Sequence, residues 1–203
     1  MYIPRDLFLM RDPFLMRDPL QVTRNRLLAR ITAPAVEPVT LTEAKTYLRV
    51  DDTNSDSLIT DLIVAARMIA ESWLRKSLIN QSWQLAYDYG IPDCIWLPMG
   101  PVNSITGVVL INRDGSTVTL ASSSYWLSAA QNTLMLDSMQ IAFQVQITYA
   151  TGYGSDETTV PRPIKQGMLG HIAAMFDSRG EDGDAALPEQ TVALYVPFRE
   201  VRL

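Results

Sequence analysis

Residues 56–77 read DSLITDLIVAARMIAESWLRKS, with apolar pairs at Leu58/Ile59, Leu62/Ile63, Ala65/Ala66, Ile69/Ala70 and Trp73/Leu74. That spacing places one apolar stripe on a helix, with Arg67, Glu71, Arg75 and Lys76 on its other faces. The stretch predicts an amphipathic helix over 56–77 that packs against further helices. Upstream, Thr40 stands three residues before Glu43, ahead of Ala44-Lys-Thr-Tyr-Leu-Arg49, which is the spacing of a capping box. A short helix is expected there, followed by a polar turn from Asp51 to Ser55.

Downstream of residue 82 the period changes to two. Trp83-Gln-Leu-Ala-Tyr-Asp88 alternates, and Ile95-Trp-Leu97 is a short segment bounded by prolines. Ile105 to Ile111 is β-branched, and Asn112-Arg113-Asp114-Gly115 predicts a hairpin into Thr117-Val-Thr-Leu120. Further strands are expected at Tyr125–Leu127, Thr133–Leu136 and Phe143–Tyr149, the last alternating strictly. Helix resumes near Pro163, with a stripe of Ile164, Met168, Ile172, Met175 and Phe176. Gly167, Gly170 and Ala174 form a small-residue face that invites another backbone to approach. Gly180 is expected to end this helix, and Glu181-Asp-Gly-Asp184 to form an exposed loop.

The predicted fold class is therefore α+β: a small helical bundle with an inserted antiparallel β module, an extended N-terminal arm and a C-terminal tail. The expected segments are an arm and linker over 1–37 and core helices over 38–81. The β module follows over 82–154, a core helix and loop over 155–186, and a C-terminal tail over 187–203.

The arm holds a hexapeptide duplication, Phe8-Leu-Met-Arg-Asp-Pro13 followed by Phe14-Leu-Met-Arg-Asp-Pro19. Each copy ends in a proline, which opposes a continuous helix. Phe8, Met10, Arg11, Phe14, Met16 and Arg17 thus read as regularly spaced anchors, laid along a neighbouring subunit or another protein. Residues 1–33 contain six Arg against three Asp, or +3. The net charge is −5, so the remainder carries −8. A basic arm on an acidic body fits an acidic protein surface or nucleic acid. Its arginines form no cluster, which favours protein.

Composition narrows the class further. The 203 residues are 47% hydrophobic and 19% charged, ordinary values for one globular domain. No stretch is apolar for long enough to span a bilayer, and Arg and Asp interrupt any signal-peptide core. Cys94 is the single cysteine, which excludes an intrachain disulfide and points to synthesis in a reducing compartment.

Catalytic and metal chemistry finds little support. Asp52-Thr-Asn54-Ser-Asp56 starts like a calcium loop but has Ser57 at the glycine position and Ile63 at the glutamate position. Helix-start capping explains those residues better. Gly152-Tyr-Gly154 leads to no helix, so it reads as a strand exit. His171 is the only histidine and has no partners in register, which makes it a structural residue. Asp51/Asp52 and Asp182/Asp184 lie in polar loops without a cleft. A hydrolase using Asp51, Asp52 or His171 therefore has no visible pocket, and no catalytic residue, metal ligand or cofactor is expected. Trp73, Trp83, Trp96 and Trp126 read as core aromatics, and Cys94 as a small apolar residue.

An ordered set of segments resembles the head–tail connector (adaptor) proteins of long-tailed bacteriophages and gene transfer agents. It runs from Pro38-Val-Thr-Leu-Thr-Glu-Ala-Lys-Thr-Tyr-Leu-Arg49 through Glu71-Ser-Trp-Leu-Arg75 and Leu97-Pro-Met-Gly-Pro101 to Asp114-Gly115. It continues with Val145-Gln-Ile-Thr-Tyr149, Thr151-Gly-Tyr-Gly154, Val160-Pro161, Ile164-Lys-Gln166, Phe176-Asp-Ser-Arg179 and Tyr195-Val-Pro-Phe-Arg199. The resemblance covers about 38–203 and leaves out the arm. It implies a structural virion protein of the neck, made in the host cytoplasm. It also implies a ring, commonly dodecameric, beneath the portal protein and linked to a stopper or tail-completion protein, with no membrane involved. DNA would pass through the ring's channel without tight binding. The C-terminal segment would dock into the portal, here through Tyr195, Phe198, Arg199, Arg202 and Leu203. On that view, deleting the last nine residues leaves the body folded. The alternative is a nucleic-acid-binding accessory protein that uses the Arg-containing arm.

Overall fold

A computed structural model describes residues 26–88, 91–128, 130, 132–138, 140–178 and 187–200. Within these, the order opens with β1 (Arg26–Thr32), α1 (Leu41–Leu48), α2 (Asp56–Leu74), β2 (Gln81–Asp88), β3 (Cys94–Trp96) and β4 (Val102–Ile111). It continues with β5 (Thr117–Thr119), β6 (Tyr125–Ser128), β7 (Thr133–Leu136), β8 (Gln144–Thr151), α3 (Arg162–Asp177) and α4 (Glu189–Tyr195). The architecture is α+β, with all strand pairs between the named strands antiparallel.

The helices enclose one core, which includes Ile59, Ile63, Ala66, Ala70 and Leu74 of α2, Ile164, Met168 and Ile172 of α3, and Tyr195 of α4. The capping box on α1 is complete: Glu43 N–H donates to Thr40 Oγ1 at 3.2 Å, and Thr40 N–H donates to Glu43 Oε2 at 2.9 Å. The same carboxylate accepts from Lys165 Nζ at 2.7 Å, tying α1 to α3. α2 stops at Leu74, three residues short of the predicted end, because Arg75 turns left-handed at φ 57°. At the start of α2, Ser55 makes no side-chain cap; Asp52 Oδ1 instead accepts from Asn54 N–H at 2.8 Å.

The strands enclose a second core of Leu85, Ile95, Leu97, Val108, Leu110, Leu134, Val145, Ile147 and neighbours. A five-stranded sheet has the order β1-β2-β8-β4-β5, and a three-stranded sheet the order β3-β7-β6. β8, with its strict alternation, is buried on every second residue and lies between β2 and β4. The predicted hairpin forms: Gly115 N–H donates to Asn112 O at 3.0 Å, and Gly115 takes φ +84°.

A polar seam joins the two cores. Glu71 accepts from Arg67 Nη1 at 3.0 Å, Leu78 N–H at 3.0 Å and Gln81 Nε2 at 2.7 Å, while Arg67 Nε reaches Glu37 at 2.7 Å. Ser77 Oγ accepts from Trp83 Nε1 at 3.1 Å and Thr151 Oγ1 at 2.7 Å. Every charged group in this buried seam has a counter-charge or hydrogen-bond donor, which is the condition for burying charge at all. Gly152 is part of the seam. At φ +129° its α-carbon lies so near the Ile79–Asn80 backbone that a side chain would collide with it.

Three expectations need correction. Residues 26–32 are not part of an extended arm; they form β1, the edge strand on β2. Trp126 is 58% exposed and Cys94 is exposed, so neither is a core residue. The segment from Leu187 to Glu200 is woven into the body, as its residues show below. The loop expected at Glu181–Asp184 and the helix end at Gly180 lie outside the described residues.

Candidate functional site

The residues expected to dock the C-terminus divide sharply. Tyr195 is fully buried, so it holds the fold and is not an exposed docking group. Its ring fills the notch over Gly167 of α3, where any Cβ would collide with it. Thr191 Oγ1 donates to Gly167 O at 3.1 Å and completes the α3–α4 contact. The small-residue face thus admits a helix, as expected, but receives an aromatic ring. Burial pushes the Tyr195 phenol up.

Phe198 packs partly against the helical core. Arg199 is exposed, and its guanidinium stacks 4.8 Å over the Trp73 ring, whose centroid lies 5.8 Å from that of Tyr195. Beyond it, Glu200 N–H donates to Leu74 O at 3.1 Å, and Glu200 Oε1 accepts from Asn132 Nδ2 at 2.9 Å. Asn132 Oδ1 in turn accepts from Val102 N–H at 3.0 Å. The tail therefore binds the helical core and the β module at once. Beside Trp73, an open groove of about 310 Å³ is lined by Met68, Ile69, Ser72 and Leu187. Arg202 and Leu203 lie outside the described residues, as do the arm anchors Phe8, Met10, Arg11, Phe14, Met16 and Arg17.

A second surface was not legible as a site. In the three-stranded sheet, Met135 of β7 is registered with Cys94 of β3 on one side and Trp126 of β6 on the other. Registered residues in antiparallel strands share a face, so these three form one exposed row across the sheet. The opposite face presents Ile95, Leu134 and Leu127 to the β core. At the β3 edge, Arg26 Nη2 donates to Trp96 O at 3.5 Å, and the guanidinium lies 5.1 Å over the Trp96 ring and 5.7 Å over Tyr87. Alternation alone separates two faces of a strand but does not say which is covered, so the row went unseen in the sequence.

His171 is 1% exposed, and neither ring nitrogen has a hydrogen-bond partner among the described residues. Burial pushes its imidazole below the ordinary 6.5 and holds it neutral. Among the described residues no group of three or more His, Cys, Asp or Glu could hold a metal ion. No helix there is long and apolar enough to cross a membrane.

The sequence and the fold both have counterparts among known proteins. Residues 38–133 match the family model described as phage gp6-like head-tail connector protein. A chain from the neck of an empty gene transfer agent particle, computed with C6 symmetry, superposes with a TM-score of 0.72 at 22% identity. The match covers 87% of this chain and 97% of that one. A chain of the native gene transfer agent virion gives 0.70 at 23%, and one from the native neck computed with C12 symmetry gives 0.70 at 24%, both with the same coverage. No curated protein matches. In sequence over residues 38–133 the chain resembles the phage gp6-like head-tail connector family, and in fold over 87% of its length it resembles chains of gene transfer agent necks.

Proposed function

We propose that the chain is a structural protein of a virion neck, a head–tail adaptor that forms a ring beneath the portal. The ring extends the DNA channel and links the head to a stopper or tail-completion protein. The observation that carries this reading is the joint match: connector sequence over 38–133 and a neck-protein fold over 87% of the chain. The C6 and C12 symmetries of the matching necks support a ring of twelve copies. The −8 carried by residues 34–203 suits a channel wall, because like charge disfavours the contacts by which proteins hold DNA. The body has two cores joined by a polar seam in which Glu71 is met by Arg67, Leu78 N–H and the Gln81 amide. No catalytic role enters this reading.

The portal contact falls to what the tail leaves outside the core: Arg199 on its Trp73 platform, the outer side of Phe198, and Arg202 and Leu203 beyond. Tyr195 has no part in it. The test is to mix the chain with its cognate portal protein and image the product by negative stain. A ring stacked on the portal is expected. A strictly monomeric chain that ignores the portal overturns the reading, and steeply salt-dependent DNA binding lost with residues 1–25 would replace it by the accessory-protein alternative.

A further inference from the structure

We propose that residues 8–19 of the chain pack along the outer face of their own subunit's three-stranded sheet, on the row Cys94–Met135–Trp126. The inference stands apart from the adaptor reading. Its first support is the face itself: Trp126 is 58% and Met135 39% exposed, side by side in register, on a sheet whose other face packs on the β core. Contiguous exposed apolar side chains of this kind are where a contact surface is sought.

The second support is where the described chain begins. Arg26 is fixed to the β3 edge by its bond to Trp96 O and its stacking on the Trp96 ring. Trp96 lies two residues from Cys94 on the same strand, so both side chains share the outer face. The described chain therefore begins, at Arg26, at the margin of the row. From there back to Pro19 the chain can extend roughly 23 Å at 3.3 Å per residue, whereas three strands are only about 10 Å across.

The third support is complementarity. The exposed Asp93 and Asp137 flank the Cys94–Met135 end of the row, with Leu136 N–H donating to Asp93 O at 2.9 Å. Phe8 and Phe14 are each followed, two and three residues on, by Met and Arg: Met10 and Arg11, then Met16 and Arg17. Phe and Met suit the apolar row, and the arginines suit its acidic margin. A tethered segment also reaches this face at an effective concentration that a free partner would not match.

Cys94, the only cysteine, is a built-in reporter on the row. Its alkylation by iodoacetamide should quicken at least fivefold when residues 1–20 are removed, and likewise in the full-length F8A/F14A variant, with circular dichroism unchanged. Equal rates in the parent and in both variants overturn the proposal. A benzophenone amino acid in place of Phe14 should, on illumination, crosslink to the peptides holding Met135 or Trp126 within a single chain. A crosslinked product of dimer mass would assign the face to a neighbouring copy and overturn the own-chain assignment.

Discussion

The segment Glu189–Glu200 and the outer face of the three-stranded sheet place aromatic residues in opposite circumstances. In the first, Tyr195 enters a notch made by Gly167, Thr191 anchors α4 to α3, and Glu200 bonds both Leu74 and Asn132. In the second, Trp126 and Met135 lie side by side with one flank open. The contrast shows what commits an aromatic ring to a core: a small residue opposite and backbone bonds on either side, more than the ring's own hydrophobicity. It also separates the chain's fold from its contacts. The tail closes the fold as far as residue 200, and among the described residues none covers the sheet face.

The sharpest way to break this comparison is truncation. Removing residues 195–203 takes away Tyr195, Phe198 and both Glu200 bonds. Loss of a buried aromatic alone costs about 3–5 kcal/mol, and marginal domains do not tolerate much more. We expect the nine-residue truncation to lose its cooperative thermal transition by circular dichroism, whereas removal of residues 201–203 leaves it intact. If the longer truncation melts like the parent, the tail is peripheral after all. Close behind comes Glu71→Ala, which leaves Arg67, Leu78 N–H and the Gln81 amide facing a gap inside the seam. Breaking a buried pair from one side costs about 3–5 kcal/mol, readable as a lower urea midpoint. A loss under 1 kcal/mol would mean that water replaces the carboxylate.

The helical half was almost fully legible in the sequence. The Thr40/Glu43 spacing and the Leu58-to-Leu74 stripe carry local signals that tertiary structure only confirms. The strands were found too, because Val145-Gln-Ile-Thr-Tyr149 and its neighbours alternate. What failed was long-range. Arg26–Thr32 becomes a strand only because β2 pairs with it, and nothing local marks an edge strand half of whose side chains face solvent. The resemblance puts Tyr195 among the docking residues, whereas its burial is set by Gly167, twenty-eight residues earlier, which nothing local to Tyr195 announces. Trp126 looked buried because aromatic strands usually are. In both cases the deciding partner lies on another element.

Gly167→Ala tests the notch more gently. The added methyl meets the Tyr195 ring and must displace it; overpacking of this kind costs about 1–3 kcal/mol. A melting temperature that does not fall would show that α4 can shift without penalty. His171 supplies a smaller, pH-dependent term. Its folded pKa is depressed by burial, so the unfolded chain binds the proton more readily. Its contribution is complete above the ordinary 6.5 and is lost as pH falls through the folded value. Urea midpoints should decline between pH 7.5 and 5.5, and less steeply in His171→Leu; identical slopes would mean that another group carries the acid sensitivity.

The smallest expected effect is the most informative about the open face. Trp126→Ala removes a large ring, but a ring 58% exposed and lacking a notch of its own. Exposed substitutions of this sort change stability by within about 0.5 kcal/mol. In the chain lacking residues 1–20 the urea midpoint should therefore barely move, in contrast to Tyr195→Ala, where about 3–5 kcal/mol is at stake. A large loss there would show that something other than the arm covers the ring. The segment 8–19 is the occupant proposed for that face, so the measurement is repeated on the full-length chain, where a larger cost is expected. If the cost of Trp126→Ala is greater in the full-length chain than in the shortened one, the difference is the coupling between arm and row. If the two costs agree, the arm contributes no stability through Trp126.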